Sequence, residues 1–402
     1  MRLANTFNCI TTRMVASKSA SRIPLKRRLI YLLIIYVLFI GVLVAVELVV
    51  RITMPHVSSL DLFVNTVQQK AQVANEGQSG IFEGDPLLLW RLRPNLNDVY
   101  WDFTPVSTNS HHVRISPPDP KVSSLYLRAN QELTRKAPGT IRIVCLGDSV
   151  TFGYRVPPVW PERPTEYDPS WLPYPMLLEK HLREANPGRD IEVITMAVPG
   201  YTSHQGLAWL KRDIDWLKPD LLTVSFGWND ASKSDVPDRE SVRVNWSAVA
   251  VRWMIDHSQA FAHATKWLRS PGNATTARRN PVSRVSEREY VENMSGIVSL
   301  ARERGAGVIV IAAPYRDVTT NPAEGELMVR YRSALRSAMQ RMNIRFVEVR
   351  ELTEAASPAN DGWFGELIHP NHMGHRLMTA ELCAVLQSNS FLGNIKIPSF
   401  IP

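Results

Sequence analysis

Four short segments of the chain carry side chains that could together perform nucleophilic chemistry. The first is Gly147-Asp148-Ser149, which follows an apolar run typical of a buried strand and is suited to a tight turn. A serine at the carboxyl end of a strand lies where open α/β sheets place their ligands. Because a serine hydroxyl is a weak nucleophile alone, it needs a base and donors for the oxyanion that forms on the attacked carbonyl.

The other three segments could supply these groups. Gly200 follows a second predicted strand, and its backbone N–H can point at a ligand. Asn229 follows a third, where a side-chain amide is a good oxyanion donor. His369 precedes the last predicted helix and has Glu366 three residues earlier, so it can accept the serine proton while the carboxylate orients its ring. Each residue has an ordinary structural explanation alone, but the four segments in this order favour one shared site.

Strands and helices alternate after residue 139, which predicts a parallel sheet covered on both faces. The predicted strands are 141–146, 191–197, 221–226, 308–312 and 344–349, and the predicted helices are 176–184, 204–217, 287–304, 326–342 and 372–387. Residues 231–286 interrupt this alternation with nine basic and four acidic side chains. This insertion follows a strand end, so it could form a lid or a substrate wall; the alternative is a helical surface insertion without a ligand.

The amino terminus predicts a membrane anchor. Residues 1–28 hold seven basic and no acidic side chains, and 29–50 form an apolar run of 22 residues with the single charge Glu47. This run spans about 33 Å as a helix, enough to cross a bilayer core. We expect an uncleaved signal anchor with a cytoplasmic tail and an exported remainder, because cations favour the cytoplasmic side. The remainder has 39 basic against 38 acidic side chains, so the charge does not indicate nucleic acid as a partner.

The remaining segments complete the predicted domain organisation. Residues 51–138 show little periodic structure, although 86–95 and 101–105 suggest short strands and turns. This segment is interpreted as a juxtamembrane module packed against the main domain, or else as an extended spacer. The main domain is predicted over 139–390, with 391–402 as a carboxyl-terminal tail. No cysteine spacing suggests a metal site, and no metal or organic cofactor is expected.

The joint pattern resembles the SGNH hydrolases, also called the GDSL esterase/lipase family. The matching residues are Gly147-Asp148-Ser149, Gly200, Gly227-x-Asn229-Asp230 and His369, and the resemblance covers roughly 139–390. It implies a flavodoxin-like three-layer α/β/α fold with a five-stranded parallel sheet in the order 2-1-3-4-5, here preceded by one transmembrane helix.

By matched position, the resemblance implies that Ser149 is the nucleophile and His369 the base. The amides of Ser149 and Gly200 and the side chain of Asn229 would form the oxyanion hole. Asp148 and Asp230 also match family residues and are interpreted as structural.

The third catalytic residue departs from the family pattern. The family usually has aspartate three residues before the histidine, whereas this chain has Glu366, whose side chain is one methylene longer. Asp361 is a nearby substitute, and a Ser–His dyad is the third alternative.

These features predict a membrane-anchored serine esterase with a periplasmic catalytic domain, similar to membrane-anchored proteins of this family in bacterial envelopes. The expected substrate is an O-acyl ester, with an acylated envelope or extracellular glycan as the suggested carrier. Two alternatives stay open: an O-acyltransferase that uses the same residues, and a non-catalytic envelope assembly protein.

Overall fold

The structure, a computed structural model, describes most of the chain in separate segments. They are 24–57, 81–115, 135–157, 168–268, 281–315, 322–353, 362–365, 368–389 and 391–400, without residues 86, 98, 102–103, 169, 235 and 242–245. Contacts divide the chain into two compact units, residues 1–56 and 57–402, which are described separately.

The described part of the first unit is dominated by one apolar helix, α1 (Leu25–Thr53). Its 29 residues span about 43 Å. Among the described residues it is the one helix long and apolar enough to cross a membrane, and a signal sequence near the amino terminus passes the same test. Glu47 Oε1 accepts a hydrogen bond from Arg51 Nε at 2.6 Å, so this acid has its partner one turn away on the same helix.

The second unit contains the strands. Within the described residues they are β1 (Phe82–Asp85), β2 (Leu89–Leu92), β3 (Val99–Trp101), β4 (Thr104–Thr108), β5 (Arg114–Ile115), β6 (Ile141–Gly147), β7 (Ile191–Ala197), β8 (Leu221–Ser225), β9 (Lys233–Ser234), β10 (Val282–Ser283), β11 (Gly307–Ile311) and β12 (Arg345–Val347).

The main sheet has eight strands in the order β12-β11-β8-β6-β7-β5-β4-β3. Neighbours from β12 to β7 pair in parallel, and β5 joins β7 antiparallel through Arg114 and Thr195. The sheet is therefore mixed, and the prediction of a five-stranded, wholly parallel sheet is corrected in this respect. The sequence suggested short strands and turns near Trp101 but not that β3, β4 and β5 extend the main sheet, because strands of two to five residues are too short to show a period.

Helices of the second unit follow the strands. They are α2 (Ser149–Phe152), α3 (Tyr174–Ala185), α4 (Ser203–Leu217), α5 (Trp228–Ala231), α6 (Asp238–Ser241), α7 (Trp246–His257), α8 (Gln259–Leu268), α9 (Glu287–Glu303), α10 (Pro322–Arg341), α11 (Arg350–Thr353) and α12 (His372–Gln387).

The parallel strands are covered on both faces because side chains along β6 alternate between two apolar clusters. Val144 and Leu146 belong to one cluster, together with residues of α4, α9 and α10. Ile143 and Cys145 belong to the other, together with residues of α3 and α12. This alternation has the period of two that a strand requires. The same cores explain why the strands read as continuous apolar runs in the sequence.

Residues 81–115 of the predicted juxtamembrane module and the insertion 231–286 both belong to the second unit. Side chains of 81–115, among them Trp90, lie in the same apolar cluster as Val144 of β6. The insertion 231–286 begins and ends at an antiparallel pair, β9 with β10, so both of its described ends are held together. The limits of the juxtamembrane module (51–138), the main domain (139–390) and the carboxyl-terminal tail (391–402) stay a prediction.

Candidate active site

Ser149 begins α2 directly after β6 ends at Gly147. The side chain of the intervening Asp148 accepts the amide N–H of Val150 at 3.0 Å and so caps the helix. A Cβ atom on Gly147 would lie 2.1 Å from Thr151 Oγ1, so only glycine fits beneath this turn. The Ser149 N–H is among the first amides of the helix, which have no partner within it.

His369 lies in a loop that folds back on itself before α12. The Gly365 N–H donates to the His369 carbonyl at 2.8 Å, and the Asn371 N–H donates to the Trp363 carbonyl at 2.9 Å. The Asn371 side chain also caps α12 by accepting two amides of its first turn at 2.9 and 3.1 Å. The backbone is therefore held on both sides of His369.

The histidine loop packs directly on the turn that follows Ser149. The His372 N–H donates to the Val156 carbonyl at 2.8 Å. A Cβ atom on Gly365 would lie 2.4 Å from the Arg155 carbonyl oxygen, so glycine permits this close approach of two backbones. These contacts set the distance between two residues that are 220 positions apart in the chain.

The side chains of Ser149 and His369 are hydrogen-bonded, with 2.7 Å between Oγ and Nε2. Only 8% of Ser149 and 7% of His369 is exposed, so little water reaches this pair. Tyr154 packs its ring edge to face with the imidazole, at 4.8 Å between centroids. If Nε2 accepts the hydroxyl proton, the neutral imidazole carries its own proton on Nδ1. This geometry suits a nucleophile and its general base.

Asn229 and Gly200 lie at the two neighbouring strand ends. Asn229 Nδ2 donates to Asp148 Oδ2 at 3.3 Å, which ties the amide to the serine turn. Gly200 follows β7, where the Val198 N–H donates to the Gly147 carbonyl at 3.4 Å. The ends of β6, β7 and β8 coincide because Gly147 is in register with Ala197 and Ser225, so the structure brings these segments to one edge.

Two buried aspartates support this edge. Burial raises the pKa of Asp148 to about 6, although hydrogen bonds from the Val150 amide and Asn229 favour its charged form. Burial also raises the pKa of Asp230 to about 8 against the hydrogen bonds from Ser203, whose N–H and Oγ lie 3.0 and 2.5 Å from Asp230 Oδ1. Asp148 holds Asn229 and caps α2, whereas Asp230 ties α5 to the start of α4.

The two acids considered for the third catalytic position, Glu366 and Asp361, lie outside the described residues. Of the predicted site residues, the structure therefore places Ser149, Gly200 and Asn229 at adjoining strand ends and His369 against the serine. Among the residues that it describes, no group of three or more His, Cys, Asp or Glu side chains could hold a metal ion.

Three contributors to the site were missed by sequence reasoning. Tyr154 packs on His369 as described above. Trp90 Nε1 donates to the Pro199 carbonyl at 3.2 Å, and Arg284 Nη1 donates to the Gly200 carbonyl at 2.7 Å. These bonds join residues 109 and 84 positions apart, so no local pattern marks them. The one signal for Trp90 was its place in a short apolar run of the predicted juxtamembrane module.

Comparison with solved structures finds bacterial hydrolases. A lipase/acylhydrolase from Enterococcus faecalis is 19% identical, covers 64% of this chain and 98% of its own, and has a TM-score of 0.40. A catalytic mutant of an acetylxylan esterase from Geobacillus stearothermophilus is 18% identical, covers 63% of this chain and 94% of its own, and has a TM-score of 0.39.

Comparison with known sequences identifies the family. An arylesterase from Vibrio mimicus is 33% identical over 96 residues, which are 24% of this chain. The chain thus spans 41% of the length of that curated relative. The family model of the GDSL-like lipases and acylhydrolases matches residues 145–377, more than half of the chain and all four segments of the site. The chain therefore belongs to the GDSL-like lipase/acylhydrolase family, a family of ester-bond hydrolases.

Proposed function

We propose that this protein is a serine esterase in which Ser149 is the nucleophile and His369 the general base. The observation that carries the proposal is the buried hydrogen bond of 2.7 Å between Ser149 Oγ and His369 Nε2 at a strand end. Membership of a family of acylhydrolases gives the same reaction class.

The proposed reaction has two halves. Ser149 Oγ attacks the carbonyl carbon of the ester while its proton passes to His369 Nε2. The carbonyl oxygen gains negative charge and is stabilised by the N–H groups of Ser149 and Gly200 and by Asn229 Nδ2. His369 then gives the proton to the leaving alcohol. In the second half, water attacks the acyl-enzyme and gives a proton to His369. His369 then returns this proton to Ser149 Oγ as the acyl–oxygen bond breaks and the acid leaves.

The orientation of His369 is also part of the proposal. Edge-to-face packing with Tyr154 restricts the imidazole ring, and the paired backbone around it holds its Cα. Glu366 is proposed as the group that accepts the Nδ1 proton in a hydrogen bond, because its spacing to His369 is that of the family. Asp361 and a Ser–His dyad are the alternatives.

We propose an O-acyl ester on an envelope or extracellular glycan as the substrate. The insertion is compatible with this choice, because it carries nine basic against four acidic side chains and would attract an anionic glycan. The same charge is equally compatible with anionic phospholipid headgroups. The insertion also exposes Trp253 on α7 and Trp267 on α8, at 56% and 65% of their surface, and aromatic rings of this kind can lie against sugar rings. An O-acyltransferase would use the same residues, with a sugar hydroxyl in place of water.

The flavodoxin-like sheet order belongs to the proposal as well. The five strands β7, β6, β8, β11 and β12 are neighbours in this sequence within the larger mixed sheet. In such sheets ligands bind beyond the carboxyl ends of the strands, where the order reverses. This supports a substrate position above the ends of β6, β7 and β8.

Trapping the acyl-enzyme tests the reaction. The full chain in detergent, mixed with p-nitrophenyl acetate and quenched in acid, is expected to gain one acetyl group on the peptide that contains Ser149. In a parallel reaction without acid, a deacetylated polysaccharide is present during turnover, and free acetate is compared with acetate transferred to this acceptor. Mainly free acetate supports the hydrolase, whereas mainly acetylated acceptor identifies a transferase. No acetyl group on that peptide contradicts both.

Membrane topology is a separate prediction. Because seven cations precede the apolar run 29–50, we expect residues 1–28 in the cytoplasm and the catalytic domain in the periplasm. Alkaline phosphatase fused after residue 402 should therefore be active, and the intact mass should retain residues 29–50. The same fusion without residues 1–53 is the control and should be inactive. A chain that begins near residue 52 would contradict the anchor.

A further inference from the structure

The turn that carries Gly200 has the geometry of a type II turn. The Tyr201 N–H donates to the Val198 carbonyl at 3.2 Å, which closes a four-residue turn with Pro199 and Gly200 at its centre. Gly200 has φ of +82°, as the third residue of a type II turn requires. Type I and type II turns differ by a flip of the central peptide, and glycine can adopt both.

The central peptide joins the Pro199 carbonyl to the Gly200 N–H. In a planar trans peptide these two groups point in opposite directions, so a contact that holds one also directs the other. Trp90 Nε1 donates to the Pro199 carbonyl at 3.2 Å. The Gly200 N–H makes no hydrogen bond within the part of the chain that the structure describes. It is therefore left for a ligand on the side opposite the indole.

Trp90 is itself held firmly. Only 4% of its surface is exposed, and the Tyr201 hydroxyl donates to the Trp90 carbonyl. The two rings pack edge to face at 5.5 Å. The preceding Leu89 has φ of +74°, a left-handed conformation that is strained for a residue with a side chain. Such strain persists only where the surrounding contacts enforce it, and here it accompanies the placement of the indole against the turn.

Arg284 holds the next peptide in the same manner. Its Nη1 donates to the Gly200 carbonyl at 2.7 Å, and its Nε and Nη2 donate to the two carboxylate oxygens of Asp238 at 3.1 and 2.9 Å. The guanidinium lies 5.9 Å from the centre of the Trp90 ring. Both peptides that flank Gly200 are thus held from outside the turn, by the β1-β2 hairpin and by the carboxyl-terminal end of the insertion.

We propose that Trp90 is a positioning residue for the oxyanion hole, since its indole N–H keeps the Pro199–Gly200 peptide in the form that presents the Gly200 N–H to the reacting carbonyl. The proposal rests on the esterase function proposed above. It gives the segment before residue 139 a role in the reaction, although this segment precedes the residues matched by the family model.

Replacing Trp90 by phenylalanine tests the proposal, because it keeps an aromatic ring and removes the donor. For full-length protein hydrolysing p-nitrophenyl acetate, kcat should fall roughly 5- to 50-fold, since an unpaired buried carbonyl lets the peptide flip. KM should change less than about twofold. Affinity for benzeneboronic acid, whose adduct with serine places an oxygen in the oxyanion hole, should fall by the same factor as kcat.

Trp209→Phe is the matched control. Trp209 is equally buried, packs on Tyr201 at 5.7 Å, and donates its indole N–H at 2.9 Å to Asp213 instead of to the turn. Its kcat and boronate affinity should stay within about twofold of the wild type. If kcat and boronate affinity fall as much in Trp209→Phe as in Trp90→Phe, a general loosening of the core explains both losses, and the proposal is wrong.

Two further measurements distinguish the loss of the indole N–H from a folding defect in Trp90→Phe. Benzothienylalanine at position 90 keeps the two-ring shape and removes only the N–H, so it should reproduce the loss of kcat. Labelling proline with ¹³C at the carbonyl and glycine with ¹⁵N selects the four Pro–Gly pairs of the sequence in an NMR spectrum. The signal of Gly200, assigned by its absence in Gly200→Ala, should shift in unliganded Trp90→Phe and stay in place in Trp209→Phe.

The outcomes separate the two proposals. If the wild type hydrolyses the ester and Ser149→Ala does not, but Trp90→Phe and the benzothienyl variant match the wild type, the positioning role alone is wrong. An unmoved Gly200 signal in Trp90→Phe contradicts it too. If the wild type neither hydrolyses the ester nor binds the boronate, the proposed function fails, and the role of Trp90 in the reaction fails with it.

Discussion

Replacement of Ser149 by alanine is expected to lower kcat/KM for p-nitrophenyl acetate by roughly 10³- to 10⁶-fold. The variant removes the atom that forms the acyl-enzyme, so only binding and the oxyanion donors still accelerate attack by water. The Ser149 side chain is 8% exposed, and the smaller alanine fits without a clash, so thermal unfolding should change little. The measurement is the steady-state rate with the thermal unfolding midpoint as the check on folding.

The chain offers a matched control in a second Ser–His pair. Ser110 Oγ lies 3.2 Å from His111 Nδ1, but this pair is exposed and lies in the loop before β5. Ser110→Ala should therefore keep the wild-type rate within about twofold. Equal rates for wild type and Ser149→Ala would reject Ser149 as the nucleophile, and equality at the uncatalysed rate would favour the non-catalytic assembly protein.

The second large effect is expected from Glu366→Gln, which should lower the acylation rate by roughly 10²- to 10⁴-fold. An amide that offers its N–H to the imidazole favours the wrong tautomer, in which Nε2 can no longer accept the serine proton. Pro370, directly after His369, limits how the loop can adapt. The acylation rate is measured as the burst of p-nitrophenol on rapid mixing.

Three companion results decide which acid is used. Asp361→Asn should leave the burst unchanged, and Glu366→Asp should keep or increase it because aspartate has the side-chain length usual in the family. If Asp361→Asn strongly lowers the acylation rate and Glu366→Gln leaves it unchanged, the role belongs to Asp361. If the acylation rate falls by less than about tenfold in both Glu366→Gln and Asp361→Asn, a Ser–His dyad is favoured, with the imidazole oriented by a backbone carbonyl.

The sequence was most informative where local patterns report directly on structure. Continuous apolar runs predicted the strands around Ser149, Gly200 and Asn229, because strands buried on both faces exclude polar side chains. The predicted limits of the helices were also close to the observed ones, as for α12, where the Asn371 side chain caps the first turn. Short strands were suggested near Trp101, but their place in the main sheet was not predicted. Local composition does not contain the pairing of β3 with β4, of β4 with β5 and of β5 with β7.

The sequence by itself determined the chemistry that this chain can offer. It contained a serine after a buried strand, a histidine before the last helix, and a glycine and an asparagine after two other strands. These assignments need only residue type and order along the chain, because parallel strands bring their carboxyl ends to one edge. The apolar helix near the amino terminus was equally plain from composition.

Only the tertiary structure decided how these groups are held. The 2.7 Å contact of His369 with Ser149 depends on the histidine loop packing against the backbone of Arg155 and Val156. The orientation of the Gly200 peptide depends on Trp90 and Arg284, from segments without a recognisable motif. Hydrogen bonds of this kind join residues 84 to 220 positions apart, and their geometry follows from the packing of the whole second unit, so no local pattern could contain it.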